Sequence, residues 1–211
     1  MITFSPFVLA PAQRLSEKLV LQKSAYARPG RGMLIAIDAG VEHGDALAAG
    51  AIKGARLLML NSKHCAIAQI TQAIHRFRSE FQSLHIVTHG SPGCLHFSSG
   101  DITLSNLANY AAAIESWFSY QPIEKGADAK VQSLNNAALS LYACSVATGD
   151  AGEEFLEKMH YLAGVTVHAS RGKVGSTALN GSWKLDVSHP FPCRAKFPFT
   201  ADLLETYEAV I

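Results

Sequence analysis

Two periods alternate along this chain. Short apolar runs at Met33–Ile37, Arg56–Leu60, Leu84–Thr88, Leu139–Ala143 and Val165–Ala169 have the length and the apolar content of strands. Between them apolar residues return every three or four positions. Ile67, Ile70, Ile74, Phe77 and Phe81 mark an amphipathic helix over Ala66–Phe81, Leu104 to Phe118 a second, and Phe155, Leu156, Met159 and Leu162 a third over Ala151–Leu162. A shorter helix is expected over Asp45–Ile52 and an edge strand over Ser182–Val187.

Local signals punctuate this pattern. Thr103 or Ser105 is available to cap the helix ending at Phe118. Asp150 and Glu153 fit a capping box, and Gly164 a helix stop. Ser119–Asn136, with Pro122, Gly126 and mixed charges, reads as an exposed loop. Strands alternating with amphipathic helices predict an α/β fold, a three-layer sandwich with a mainly parallel central sheet. Residues 1–32, with a short helix over Ala12–Ala25 before Arg28-Pro-Gly-Arg-Gly32, read as an N-terminal extension. Residues 33–188 form the domain, and 189–211, with Pro190, Pro192 and Pro198, a C-terminal extension with a helical tail from Ala201.

Composition narrows the function. With 18 basic and 17 acidic residues in 211 there is no electrostatic footprint for nucleic acid or anionic lipid. No run reaches the roughly 18 apolar residues that span a bilayer, and Met1–Pro11 lacks the features of a signal peptide, so the expected compartment is the cytoplasm. Cys65, Cys94, Cys144 and Cys193 form no Cys-x-x-Cys pair, which favours reduced thiols over a zinc ribbon or a disulfide framework.

The chemistry gathers at two strand ends. The run from Leu84 stops on His89-Gly90, and the run from Leu139 stops on Cys144. Open α/β sheets place their sites at the carboxyl edge of the strands, where an imidazole and a thiol can act as base and nucleophile. Gly90, without a side chain, allows a substrate carbonyl to approach, and the amides of Gly90 and Cys144 are candidate oxyanion donors. Asp38 ends the first strand at the same edge, where it would receive a basic substrate side chain, orient His89, or cap the following turn. Ser170 ends the fifth strand and would line a pocket or make a turn.

Structural readings compete. Cys65 and Cys94 have no histidine-bearing strand end beside them, and His160 and His168 read as surface or edge residues. His85, His89, Cys94 and His96 are close in sequence, but positions four apart on a strand lie about 13 Å from each other, too far to share one ion. No metal site and no cofactor are expected. A Gly-x-Ser-x-Gly elbow, a Walker A loop and a Gly-x-Gly-x-x-Gly fingerprint are all missing.

His-Gly after one strand and Ala-Cys after the next, 55 positions apart from histidine to cysteine, resembles the caspase-type cysteine peptidases of clan CD, with gingipain, clostripain, separase and legumain. The strings Thr88-His-Gly-Ser-Pro-Gly93, Leu141-Tyr-Ala-Cys-Ser-Val-Ala-Thr-Gly-Asp-Ala-Gly152, Ala169-Ser170 and Gly181-Ser-Trp-Lys-Leu185 are similar to a bacterial caspase-like domain of unknown function found in large surface and calcium-repeat proteins. The resemblance implies a caspase-like fold with His89 as base and Cys144 as nucleophile. It departs from caspases in Ser145-Val146 after the cysteine and in the lack of a recognisable aspartate-binding arginine arrangement. The expected function is hydrolysis of peptide bonds through a thioester. The alternative is a non-catalytic module of the same fold for protein binding or assembly. Expected partners are a protein or peptide substrate and, for control, an activating or inhibitory protein; neither nucleic acid nor a membrane is expected.

Overall fold

The computed structural model of the chain describes residues 32–77, 82–119 and 137–211. The helix expected over Ala12–Ala25 and nearly all of the loop expected over Ser119–Asn136 lie outside them. The strands are β1 (Met33–Ile37), β2 (Arg56–Met59), β3 (Ser83–Val87), β4 (His89–Ser91), β5 (Cys94–Phe97), β6 (Gly100–Thr103), β7 (Ala138–Tyr142), β8 (Thr166–Ala169) and β9 (Val187–His189). The helices are α1 (Gly44–Ala49), α2 (Ala66–Arg76), α3 (Ala111–Phe118), α4 (Gly149–Ala163) and α5 (Ala201–Thr206).

A six-stranded sheet runs in the order β2-β1-β3-β7-β8-β9. All its pairings are parallel except that of β9 with β8. This is the mixed α/β architecture the alternating periods predict, compatible with a three-layer sandwich. Because side chains alternate across a strand, each central strand feeds two cores. Leu34, Ala36, Leu84, Ile86, Leu139 and Leu141 join the face packed with α2, α3 and α4. Met33, Ile35, Ile37, Val87 and Tyr142 join the other, with Trp183, Phe199, Leu203, Tyr207 and Ile211. Residues 189–211, read from the sequence as an extension, thus return to the sheet and supply much of the second core.

Several local expectations change. The stretch after His89 carries a second, three-stranded antiparallel sheet, β4-β5-β6, where the sequence suggested a turn. Ser91 pairs with Cys94 across Pro92-Gly93, the residue pair that a type II turn favours. The helix expected from Leu104 begins as a 3-10 turn at Leu107–Tyr110 and becomes α-helical only as α3. Thr103 and Ser105 bond each other at 2.8 Å instead of capping it. The capping box is not formed either: α4 starts two residues earlier, after Thr148, without a side-chain cap. Glu153 instead lies 3.7 Å from Arg171. The edge strand is displaced from Ser182–Val187 to β9.

Candidate active site at the carboxyl edge of the sheet

Parallel register brings the two strand ends together. Val87 of β3 is paired with Tyr142 of β7, and the Thr88 amide continues the ladder to the Tyr142 carbonyl at 3.1 Å. Two residues beyond that pair stand His89 and Cys144, on neighbouring strand ends whose spacing is about 5 Å. The contact is tight at Gly90. A Cβ there would come within 2.7 Å of Val146 Cγ2, 2.8 Å of Ala143 Cβ and 2.9 Å of the Cys144 carbonyl oxygen. The missing side chain serves strand contact: protein atoms fill the space that the sequence reading gave to a substrate carbonyl.

His89 is half exposed, and its Nε2 lies 3.1 Å from the Gly40 carbonyl and 3.3 Å from a Glu42 carboxylate oxygen. Both partners accept hydrogen bonds, so the proton of a neutral imidazole belongs on Nε2, which leaves Nδ1 as the basic nitrogen. The loop that presents Gly40 is built by Asp38. Its Oδ1 accepts from the Gly40 amide at 3.0 Å, the Ser98 amide at 2.9 Å and the Ser98 hydroxyl at 2.6 Å. Asp38 is 2% exposed, and its Oδ2 has no partner among the described residues.

Cys144 is partly exposed. Its sulfur accepts the Val174 amide N–H at 3.2 Å, and no hydrogen bond joins it to His89 among the described residues. The following residue, Ser145, is held at φ 61°, a left-handed conformation that costs energy in a non-glycine residue. Its amide donates to the Gly172 carbonyl at 2.9 Å, which docks the loop after β8 against the cysteine. Ser170 shapes that loop. Its hydroxyl accepts from the Gly172 amide at 3.1 Å, and at 3% exposure it makes the turn and is withdrawn from solvent.

The Cys144 amide, expected as an oxyanion donor, donates at 2.8 Å to the carbonyl of Ile211. Nothing in the sequence joined Ile211 to this site, because a main-chain contact across 67 positions leaves no side-chain signature. Gly40 was missed for the same reason, and Glu42 because its carboxylate meets His89 from a loop distant in sequence.

Comparison with known families places the molecule. The family described as Domain of unknown function (DUF4347) matches residues 34–211. The chain belongs to that family. No curated protein matches it. The DUF4347 match therefore takes in both strand ends, the loops carrying Asp38 and Ser170, and the segment ending at Ile211.

Other chemistry-bearing residues of this DUF4347 domain lie apart from the strand ends. Cys94, His96 and Asp101 bring one ligand atom each within 4.8 Å of one another on β5 and β6. His96 Nδ1 is 2.9 Å from Asp101, and its Nε2 is 2.8 Å from the Ser91 hydroxyl. Burial, and then Asp101, raise the pKa of the Cys94 thiol. Of the four residues that the sequence placed close together, the hairpin groups Cys94 and His96 with Asp101, while His85 lies inside the sheet. His168, expected at the surface or edge, is buried beside Ser188. A pocket of about 1030 Å³ lies on the second face and is lined by neither His89 nor Cys144. Tyr142 and Trp183 line it, with Oη and Nε1 lacking partners among the described residues. It is a space beside the aromatic core and carries no part of the chemistry below.

Proposed function

We propose that this DUF4347 domain is a cysteine endopeptidase of the caspase-like kind, with Cys144 as nucleophile and His89 as base. The observation that carries this reading is the register that ends β3 and β7 on the pair Val87 and Tyr142, two residues before His89 and Cys144, while Gly40 and Glu42 hold Nε2 and leave Nδ1 basic. The resemblance of the His-Gly and Ala-Cys strings to clan CD peptidases supports it. In the reaction, Nδ1 takes the thiol proton as sulfur bonds to the substrate carbonyl carbon, and the Cys144 amide donates to the oxyanion. The C–N bond then breaks, the amine leaves with the proton from His89, and water hydrolyses the thioester. Asp38 is a positioning residue that fixes the Gly40 carbonyl under His89.

One observation favours the second reading, a non-catalytic interaction module. The Cys144 sulfur and the His89 ring bond other partners and not each other. Labelling with peptidyl acyloxymethyl ketones, read by mass spectrometry at each cysteine, decides between them. A peptidase labels at Cys144 in preference to the exposed Cys65 and Cys193, and His89→Ala slows this by roughly 100-fold, the scale of general-base assistance. Labelling of Cys144 at the rate of Cys65, unchanged by His89→Ala, would leave the interaction module.

A further inference from the structure

Resting on the peptidase reading, we infer that the site takes an extended peptide with a branched aliphatic residue at the acyl position, and that Ala209-Val210-Ile211 occupies those subsites in cis. The segment lies antiparallel to Val174-Gly175-Ser176. The Ile211 amide donates to the Val174 carbonyl at 2.8 Å, and the Ser176 amide donates to the Ala209 carbonyl at 2.8 Å. This is strand addition, in which main-chain bonds give affinity and alternate side chains give specificity. The end of the pairing places the Ile211 carbonyl on the Cys144 amide, the donor a reacting acyl group would use.

Two features fit the receiving strand to this role. Gly175 has φ 126°, and a Cβ on it would fall 2.5 Å from the Ala209 oxygen and 2.9 Å from Val210 Cα. Only glycine lets a peptide lie this close. The Ile211 side chain, 1% exposed, enters the apolar cluster that includes Val41, Val87, Tyr142, Val174 and Tyr207. An acidic or basic side chain would have to shed its water there. Asp38, the acidic residue at this edge, already accepts three hydrogen bonds on Oδ1. Tyr207 adds a tie: its hydroxyl donates to the Glu42 carbonyl at 2.7 Å, so one segment spans the loop under His89, the extended stretch 174–176 and the Cys144 amide.

The experiment compares wild type, Ile211→Asp and Gly175→Ala in the 211-residue chain, each confirmed as folded by circular dichroism. Labelling of Cys144 is measured with Ala-Val-Ile, Ala-Val-Arg and Ala-Val-Asp acyloxymethyl ketones. Freeing the subsites in Ile211→Asp accelerates the Ile probe at least tenfold over wild type, and that probe exceeds the charged two by roughly tenfold or more. Gly175→Ala, which closes the receiving strand to either peptide, is not labelled. If Ile211→Asp does not fold, Ile211→Ala must show the same acceleration. Binding of unreactive fluorescent Ala-Val-Ile amide to the Cys144→Ala, Ile211→Asp double variant is measured by anisotropy, because the Cys144 amide survives the substitution. Aliphatic-selective binding without labelling overturns the peptidase reading and keeps this one. His89-dependent labelling that is equal for the three probes, best for Arg, or no faster in Ile211→Asp overturns this one and keeps the peptidase.

Discussion

At the scale of single residues, Gly90 and His85 carry the firmest consequences. Gly90→Ala forces a methyl group into Val146, Ala143 and the Cys144 carbonyl, and overpacking of this kind costs about 1–3 kcal/mol; urea unfolding should show that loss with the cooperativity retained. His85 is 1% exposed within the sheet, and its pKa is lowered to about 3, chiefly by burial and secondarily by repulsion from His168 and Lys196. Burial lowers His168 as well. The folded chain therefore binds fewer protons than the unfolded one between pH 6.5, the ordinary histidine value, and about 3. Stability is full above that window and falls as pH drops through it, by on the order of 1 kcal/mol per unit from His85. The slope of unfolding free energy against pH should flatten in His85→Leu. An unchanged slope would mean that His85 is charged in the fold. His89 and Cys144 were legible in the sequence because each ends an apolar run. Asp38 was legible as a turn former, and the structure gives that turn a purpose, the placing of the Gly40 carbonyl.

At the scale of elements, the sequence was readable where burial imposes a period and unreadable where tertiary contacts choose between local options. The strands β1, β3 and β7 are mostly apolar because both faces are covered, with Ser83, His85 and Ser140 as their polar positions, and α2 and α4 have apolar stripes. The hairpins β4–β6 are short and half-exposed, with polar and apolar residues in both positions, so three- and four-residue strands vanish into a reading based on longer runs. The start of α4 is the clearest lesson. Asp150 and Glu153 have the spacing of a capping box, yet Thr148 occupies the N-cap, and its hydroxyl donates to the Arg171 carbonyl at 2.7 Å. The cysteine loop and the loop after β8 claim this helix end before the box can form. Asp150→Ala should consequently lose less than about 1 kcal/mol, the worth of a charge in a first helical turn, and Glu153→Ala should be close to neutral. Urea titration of both variants checks this, and a loss of 2 kcal/mol at Asp150, the upper range for a true cap, would restore the box.

At the scale of the whole molecule, the two faces of the sheet are covered unequally. One carries α2, α3 and α4, whereas the other is closed by the six-residue helices α1 and α5 and by loop segments reaching Ile211. Short elements with few internal hydrogen bonds open locally at lower free energy than strands paired on both sides. The segment after α5 is held by contacts that must break together: Tyr207 to Glu42, Ser176 to Ala209, Ile211 to Val174 and Cys144 to Ile211. Hydrogen exchange should therefore find the amides of Cys144, Ser176 and Ile211 exchanging as one unit, well before those of β1, β3 and β7. Ile211→Ala removes the buried end of the segment and should accelerate all three while leaving the central strands protected at the level set by the variant's global stability. On the proposed reading this ties the nucleophile to the opening of this segment, since the Cys144 amide, which donates to Ile211, becomes available to an incoming carbonyl only when Ile211 departs. Exchange of the three amides solely through global unfolding would show the segment to be an integral part of the core, and the site to be closed for as long as the chain is folded.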